Sequence, residues 1–574
     1  MVPESSAPPK FLAHEWTLAS LGSVVLAVLM TWPTLRSPLH TLPQDFHDPA
    51  LQAWQLAWSG HVLLSDPARL WDSNTFFPER LTFAFSDTLL GYAPAGMIGD
   101  GPHAAILRYN IMFVLAHALA TVGAYALVRQ LGAGRAGAIV AGAAYTYAPW
   151  MLAQAGHLHI VSNGGIPLAL AMIARGHGYS FAHGYRDQRR HAGWAFAGWT
   201  VAAWQLSLGF GIGLVFAYVL GLVVLVAIVA WCWRHARHRG VTRRFGARLA
   251  LADLSGGVIF AATGILLALP YFEVAHLHPE ATRRVQDLEA YAPPPSGLFI
   301  APAESLIWGD LHEDLRAGLR WPAEMTVLPG YALYALALAG LFFSVWKLRH
   351  RLLLFAGVLI TGILAMGPNF FGGEYTYLPL FNHLPGWDGL RTPGRLMLWG
   401  TLLLGVLAAG AVSALVRRVN GITATRVTRR PGLLLRLVTL MPLALVLLEG
   451  RGTTPHPAVP PQPQVMRTDP GPIIVLPFNL TYEQTVMLWS TTRFQPVVNG
   501  GSGFTPARQE RTRAAAKTFP DRASVDYLRE LGVKTVVLLR DHLAGTPWQA
   551  AADLPVDWLG IQREEIGETI VYRI

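Results

Sequence analysis

Residues 16–34 read WTLASLGSVVLAVLMTWPT, an apolar run without a charged side chain. They lead through Leu35 and Arg36 into residues 41–58, TLPQDFHDPALQAWQLAW. About 20 apolar residues of helix cross the hydrocarbon core of a bilayer, so the first run predicts a membrane span. It lacks a small-residue cleavage site, and an uncleaved helix is expected rather than a signal peptide. The second run then opens a loop just outside the bilayer. Pro49 after Asp48 favours a helix start there, with Trp54 and Trp58 one turn apart on one face. That helix is expected to lie at the membrane interface and to present Asp48 to a lipid headgroup.

The rest of the chain repeats the first run. Of 574 residues, 52% are apolar and 14% are charged, against about 25% charged in an ordinary soluble domain. The apolar residues are gathered in bilayer-length blocks. Spans are predicted over 16–34, 104–128, 136–151, 159–174, 192–208, 210–233, 249–271, 325–346, 352–367, 396–416 and 433–448. The fold class is therefore an α-helical polytopic membrane protein with about eleven transmembrane helices and a small C-terminal α/β domain. Its expected units are a membrane domain, 1–449, with long outer loops at 35–103 and 272–324, and an external domain, 450–574.

The net charge of +10 does not point to nucleic acid, because the basic residues sit in short clusters between apolar blocks. Alternate connectors carry them, as the positive-inside rule requires. Arg129 and Arg135 fall in one, Arg186, Arg189 and Arg190 in the next, and Arg234, Arg237, Arg239, Arg243, Arg244 and Arg248 in a third. Lys347, Arg349 and Arg351 follow, then Arg417, Arg418, Arg426, Arg429 and Arg430. The intervening connectors hold the acids: Asp45, Asp48, Asp66, Asp72, Glu79 and Asp87 in the first, and Glu273, Glu280, Asp287, Glu289, Glu304 and Asp310 later. This predicts a multi-pass protein of the cytoplasmic (inner) membrane, with its N-terminus cytoplasmic and its chemistry and C-terminal domain outside. Cys232 is the only cysteine, which excludes an intrachain disulfide and a cysteine metal cluster.

After a Pro-rich linker, TTPHPAVPPQPQ, expected to be extended, PIIVLPF, KTVVLL and ETIVYRI read as strands and 523–531 as a helix ending at Gly532. The run NGGSGFTPAR lacks the Lys-Ser/Thr ending of a phosphate loop and a clear following helix, and reads as a turn. YAPPPSGLF reads as an extended loop packed on the outer face.

An Asp shortly after the first span, a long first outer loop, a multi-span core, a second long outer loop and an outer C-terminal domain together resemble the GT-C superfamily. These are membrane glycosyltransferases that use polyprenyl-phosphate-linked sugars. The chain differs from the protein mannosyltransferases in lacking an adjacent Asp-Glu pair in that loop. The resemblance implies a GT-C-like fold, an inverting transfer, a polyprenyl-phosphate-sugar donor and a glycan, lipid or protein acceptor, with membrane lipids around it. It also implies that Asp48 is the catalytic base, with Asp45 as the alternative carboxylate.

An acceptor hydroxyl must lose a proton as it attacks the anomeric carbon, which a carboxylate can take. The leaving phosphate calls for arginine forks. HLPGWDGLRTPGR offers Arg391 and Arg395 at the mouth of a span, and AHLHPEATRR offers Arg283 and Arg284; interfacial anchoring or ion pairing with Asp388 or Glu280 is the plainer use of these arginines. His157 and His159, in AGHLHIVSN, are expected to hydrogen-bond the substrate, together with Glu280. No cofactor is required, although some GT-C relatives use a divalent ion held by outer-loop acids, which Glu273 or Glu280 would supply. The competing reading is a non-catalytic membrane protein, or a lipid or glycan transporter, serving surface-polysaccharide assembly. Transporters place ionisable groups inside their spans, whereas here the acids crowd into the outer loops and Asp253 is the one acid within a span.

Overall fold

The computed structural model describes residues 14–237, 246–424, 432–478 and 480–574. Arg239, Arg243, Arg244, Arg426, Arg429 and Arg430 of the predicted basic loops lie outside the described residues. Every predicted span has a helix over it. Six spans lie over helices long and apolar enough to cross a membrane: Gly101–Leu131, Leu158–Gly176, Phe210–Trp233, Ala247–Leu277, Leu348–Ala365 and Pro393–Ile422. Phe210–Trp233, Ala247–Leu277 and Leu348–Ala365 turn large apolar side chains such as Leu222, Val226, Leu254, Leu266 and Leu353 outward, a surface that lipid can cover.

The other five spans lie over shorter helices: Glu15–Met30, Arg135–Thr146, Ala192–Leu206, Tyr331–Phe342 and Leu433–Glu449. The reasons are local. Ala148, held extended before Pro149, ends the helical reading of 136–151 at Thr146, and a 3-10 turn over Pro149–Gln154 follows. Gly330, at φ 117°, delays the start of the span predicted from 325 to Tyr331. Glu449 then fixes that start, because its carboxylate accepts hydrogen bonds from the backbone of Tyr331 and Ala332 at 3.0 and 2.7 Å.

The basic connectors gather at one end of the bundle. Glu15 pairs with Arg129 at 2.7 Å and Arg135 at 2.9 Å, Phe181 stacks on His350 at 4.5 Å, and Arg418 lies 4.2 Å over the Phe343 ring. The acidic loops and the C-terminal sheet gather at the other end. There the Pro-rich linker is extended, as expected, and is strapped onto the first outer loop. Gln44 N–H donates to Pro455 O at 2.7 Å and Val459 N–H to His40 O at 2.7 Å.

The C-terminal sheet has the order Ile473–Leu476, Thr535–Leu539, Thr569–Arg573, Gln562–Ile566, with the first pair parallel and the others antiparallel. Three of these strands coincide with the predicted ones. The fourth escapes sequence reading because QREEI is an exposed edge strand with no apolar alternation. Helix Arg522–Leu531 is capped by Asp521 and stops at Gly532, at φ 91°. A helix does follow the NGGSGFTPAR turn, at Ala507–Ala515 after Pro506, contrary to the sequence reading.

One expectation for the first loop is overturned. Helix Asp48–Ser65 forms with Pro49 in its first turn, and Trp54 and Trp58 stack at 6.5 Å, yet both are almost wholly buried. The helix does not lie at the lipid interface. It is wedged between Gly101–Leu131 and the C-terminal helix Leu480–Trp489, because Ala50, Ala53, Leu56 and Ala57 make its other faces apolar as well.

Candidate functional site

Asp45 and Asp48 stand on either side of a turn and are used differently. Asp45 Oδ1 accepts from His47 N–H at 2.8 Å, an Asx-type turn that aims the chain into the helix. Asp48, at the helix start, keeps its side chain 39% exposed, with Oδ2 3.1 Å from His157 Nε2. Burial alone would raise its pKa. The His157 hydrogen bond, with the charges of His157, His159 and Arg395, outweighs that and holds the carboxyl well below the usual range.

One turn along the same helix face, Gln52 fixes the histidine segment. Its Oε1 accepts from Leu158 N–H at 2.7 Å, so its Nε2 is the donor to His159 Nδ1 at 2.8 Å. Tyr109 is wholly buried and its hydroxyl has no hydrogen-bond partner.

The arginines arrive from the far end of the chain. Arg395 grips Glu324 bidentately, Nη2 to Oε1 at 2.5 Å and Nε to Oε2 at 3.3 Å. Glu324 is 6% exposed; burial raises its pKa, but the charges of Arg395 and His157 bring it below the ordinary value. Arg391 lies 4.9 Å over the Tyr291 ring, a cation–π contact, and has no carboxylate partner among the described residues. Arg283 donates to Gly503 O at 2.6 Å. Its burial and the nearby Arg391 charge lower its pKa.

Thus Asp48, His157, His159, Arg391 and Arg395 converge, and Arg283 flanks them. Arg284 and Glu280 do not join them. Arg284 is exposed at the start of Val285–Tyr291, where its backbone N–H meets Asp287 at 2.8 Å. Glu280 accepts from Ala507 N–H at 2.9 Å and lies 3.6 Å from His278, which ties the second outer loop to the C-terminal module. The arginine ion pair expected with Asp388 or Glu280 is made with Glu324 instead. Among the described residues no three His, Cys, Asp or Glu side chains converge in a way that could hold a metal ion.

Sequence reasoning passed over Gln52, Glu324 and Asp87. Asp87 was one acid among seven in its loop, with no motif around it. Its carboxylate accepts from Gly211 N–H at 3.2 Å, at the start of Phe210–Arg237, and burial pushes its pKa up. It lines a cavity with Tyr377, Leu390, Thr392, Arg395 and Trp399. That cavity has aromatic and aliphatic walls, a guanidinium and a carboxyl, a mixture suited to an amphiphile with a charged head.

No protein-family model matches the chain, and no curated protein matches it. Among solved structures it is similar to the archaeal oligosaccharyltransferase AglB from Archaeoglobus fulgidus in complex with an inhibitory peptide and a dolichol-phosphate. That likeness has a TM-score of 0.46 and 13% identity, over 93% of this chain and 70% of that one. The apo form of the Archaeoglobus fulgidus oligosaccharyltransferase gives 0.47 and 14%, over 94% and 71%. ArnT from Cupriavidus metallidurans bound to undecaprenyl phosphate gives 0.34 and 13%, over 99% and 98%. These likenesses are distant, and the functional reading rests on the residues of the site.

Proposed function

We propose that this chain is a membrane glycosyltransferase of the GT-C type, moving a sugar from a polyprenyl-phosphate-linked donor to an acceptor on the outer face of the cytoplasmic membrane. The observation that carries the reading is the meeting of an ionised Asp48, bonded to His157, with Arg391 and Arg395, whose positions lie more than 300 residues further along the chain. It joins a proton acceptor to cations beside a cavity with apolar walls.

In the reaction, the acceptor oxygen bonds to the anomeric carbon as the bond from that carbon to the phosphate oxygen breaks. The electron pair leaves on the polyprenyl phosphate, and the acceptor proton passes to the Asp48–His157 pair. His157 matters because a carboxylate held so low is by itself a weak base. Arg391, free of any carboxylate among the described residues, meets the leaving phosphate, with Arg283 behind it. Arg395, oriented by Glu324, directs its charge into the cavity. Attack from the face opposite the phosphate would invert the anomeric centre. The gathering of basic connectors at one end of the bundle supports a cytoplasmic N-terminus and an outer site.

The test is genetic and chemical. Deleting the gene in its source cell and profiling surface glycans and lipids by mass spectrometry should reveal a missing sugar. Wild-type protein should restore it and Asp48→Asn should not. Full restoration by the Asn variant, expressed at wild-type level, would sink the reading.

A further inference from the structure

Helix Asp48–Ser65 ends about 25 Å from Asp48, at 1.5 Å per residue, beside a second pocket. His61 and Ser65 of this helix line it, with Asp100, Arg108 and Phe494. Arg108 is 7% exposed and has no ion-pair partner among the described residues. Its Nη1 donates to the carbonyls of Ile98 and Gly99, while its Nε is closed off inside the protein with no hydrogen-bond partner among the described residues. A guanidinium this buried and bonded only to neutral carbonyls is costly unless an anion nearby balances its charge.

Two further features point the same way. Arg108 lies two turns into Gly101–Leu131, on the face of Gly101 and Ala104, and that helix begins at Asp100 with no side-chain cap. Pro102 has no N–H, so the N–H groups of Gly101 and His103 and the positive end of the dipole are what the helix start offers an anion. The rim is apolar and open: Leu64 is 67% exposed, Ile98 72% and Met97 39%. An aromatic face stands beside it, since His61, exposed to solvent, stacks on Phe494 at 4.2 Å. Apolar side chains at the mouth of a pocket that holds a buried arginine beside an exposed acid, Asp100, at the outer start of a membrane helix, fit a lipid headgroup with its acyl chains alongside.

We propose that the Arg108 pocket binds the phosphate of an anionic membrane lipid, at a site separate from the Asp48 cluster. The lipid phosphate balances the Arg108 charge and meets the open helix start, and its chains lie over Leu64, Met97 and Ile98. Because Thr491 and Phe494 belong to the C-terminal module, a bound lipid also clamps that module to the membrane body. The site does not depend on glycosyl transfer, since none of its residues belongs to the Asp48 cluster.

The test uses the full-length protein in neutral detergent, titrated with phosphatidylglycerol or phosphatidylcholine and read by native mass spectrometry and thermal unfolding. Phosphatidylglycerol should bind and stabilise, phosphatidylcholine much less, and Arg108→Gln should weaken phosphatidylglycerol roughly tenfold. Asp100 is exposed and its charge opposes an anion, so Asp100→Asn should tighten binding several-fold while the fold persists. That second variant decides the matter if Arg108→Gln fails to fold. Equal binding of the two lipids, or no change in Asp100→Asn, would overturn the proposal. Glycerol 3-phosphate binding as tightly as phosphatidylglycerol would overturn the assignment to a lipid in favour of a soluble anion.

Discussion

Asp48 and Asp87 come from the same outer loop and both feel the charge of Arg395, yet their surroundings pull them in opposite directions. Asp48 is bonded to a histidine and held low; Asp87 is buried against a backbone N–H and pushed up. One carboxyl is thereby more acidic than a free aspartate and the other less acidic. Such a split between neighbouring acids is how a site divides roles among residues of the same type.

The sharpest way to break that comparison is to remove the ionised partner. Asp48→Asn keeps size and hydrogen-bonding reach but cannot take a proton, so turnover should fall by roughly a hundredfold to ten-thousandfold with expression unchanged. Asp45→Asn should lose far less, because Asp45 serves a turn. Equal losses in the two variants, measured as sugar transferred per protein, would erase the distinction drawn between them.

Another carboxyl, almost wholly buried, extends the comparison into the C-terminal module. Glu483 accepts from Gly500 N–H at 2.9 Å and lies 3.2 Å from Arg513. Burial outweighs the opposing Arg513 charge and raises its pKa to about 7. In the unfolded chain a glutamate releases its proton near pH 4.5, so between that value and about 7 the folded state holds the extra proton. Stability from this group is then fully present below about pH 4.5 and is lost as pH rises through about 7, a loss of order 3 kcal/mol. Melting the wild type between pH 5 and 8 should show that decline, and Glu483→Gln should flatten it. An identical slope in both proteins would mean that Glu483 does not titrate there.

Arg391 tests the cationic side of the site at smaller scale. A planar fork stacked on Tyr291 loses both its bidentate reach and its ring contact when replaced by lysine, so Arg391→Lys should weaken undecaprenyl phosphate binding about tenfold. Unchanged binding, followed by native mass spectrometry, would move the phosphate towards Arg283 or Arg395.

Much of the architecture was legible because span length, basic connectors and strand alternation are local patterns. Asp48 was legible for a similar reason: it follows the first span and precedes a proline. What escaped was long-range pairing. Glu324 and Arg395 are 71 residues apart, and nothing in AEMTV marks the glutamate as the partner of a distant guanidinium. Gln52 carries no motif in the sequence, although it fixes the histidine segment. Burial of helix Asp48–Ser65 was missed because the covering surface, Leu480–Trp489, lies more than 400 residues away. Arg284 and Glu280 looked equal to Arg283 in sequence, and only the packing of the C-terminal turn on this loop separates them.

The smallest effect belongs to the other half of the opening comparison. Asp87→Asn should leave folding nearly intact, since an amide oxygen can still accept from Gly211 N–H. Its signature lies in pH dependence. Asp87 shares a cavity with Arg395, and once ionised it repels a phosphate held there. Burial moves that ionisation upward from the ordinary aspartate value, so donor affinity in the wild type should decline as pH rises through the shifted value. At a separation of about 8 Å, with the dielectric approaching that of water in a cavity open to solvent, the change is about two- to threefold. The Asn variant carries no charge at any pH and should lack this component, so the ratio of the two affinities isolates Asp87 from any titration of the ligand. If that ratio stays constant from pH 4 to 8, Asp87 serves only to cap the helix at Gly211, and the contrast with Asp48 is one of packing rather than of charge.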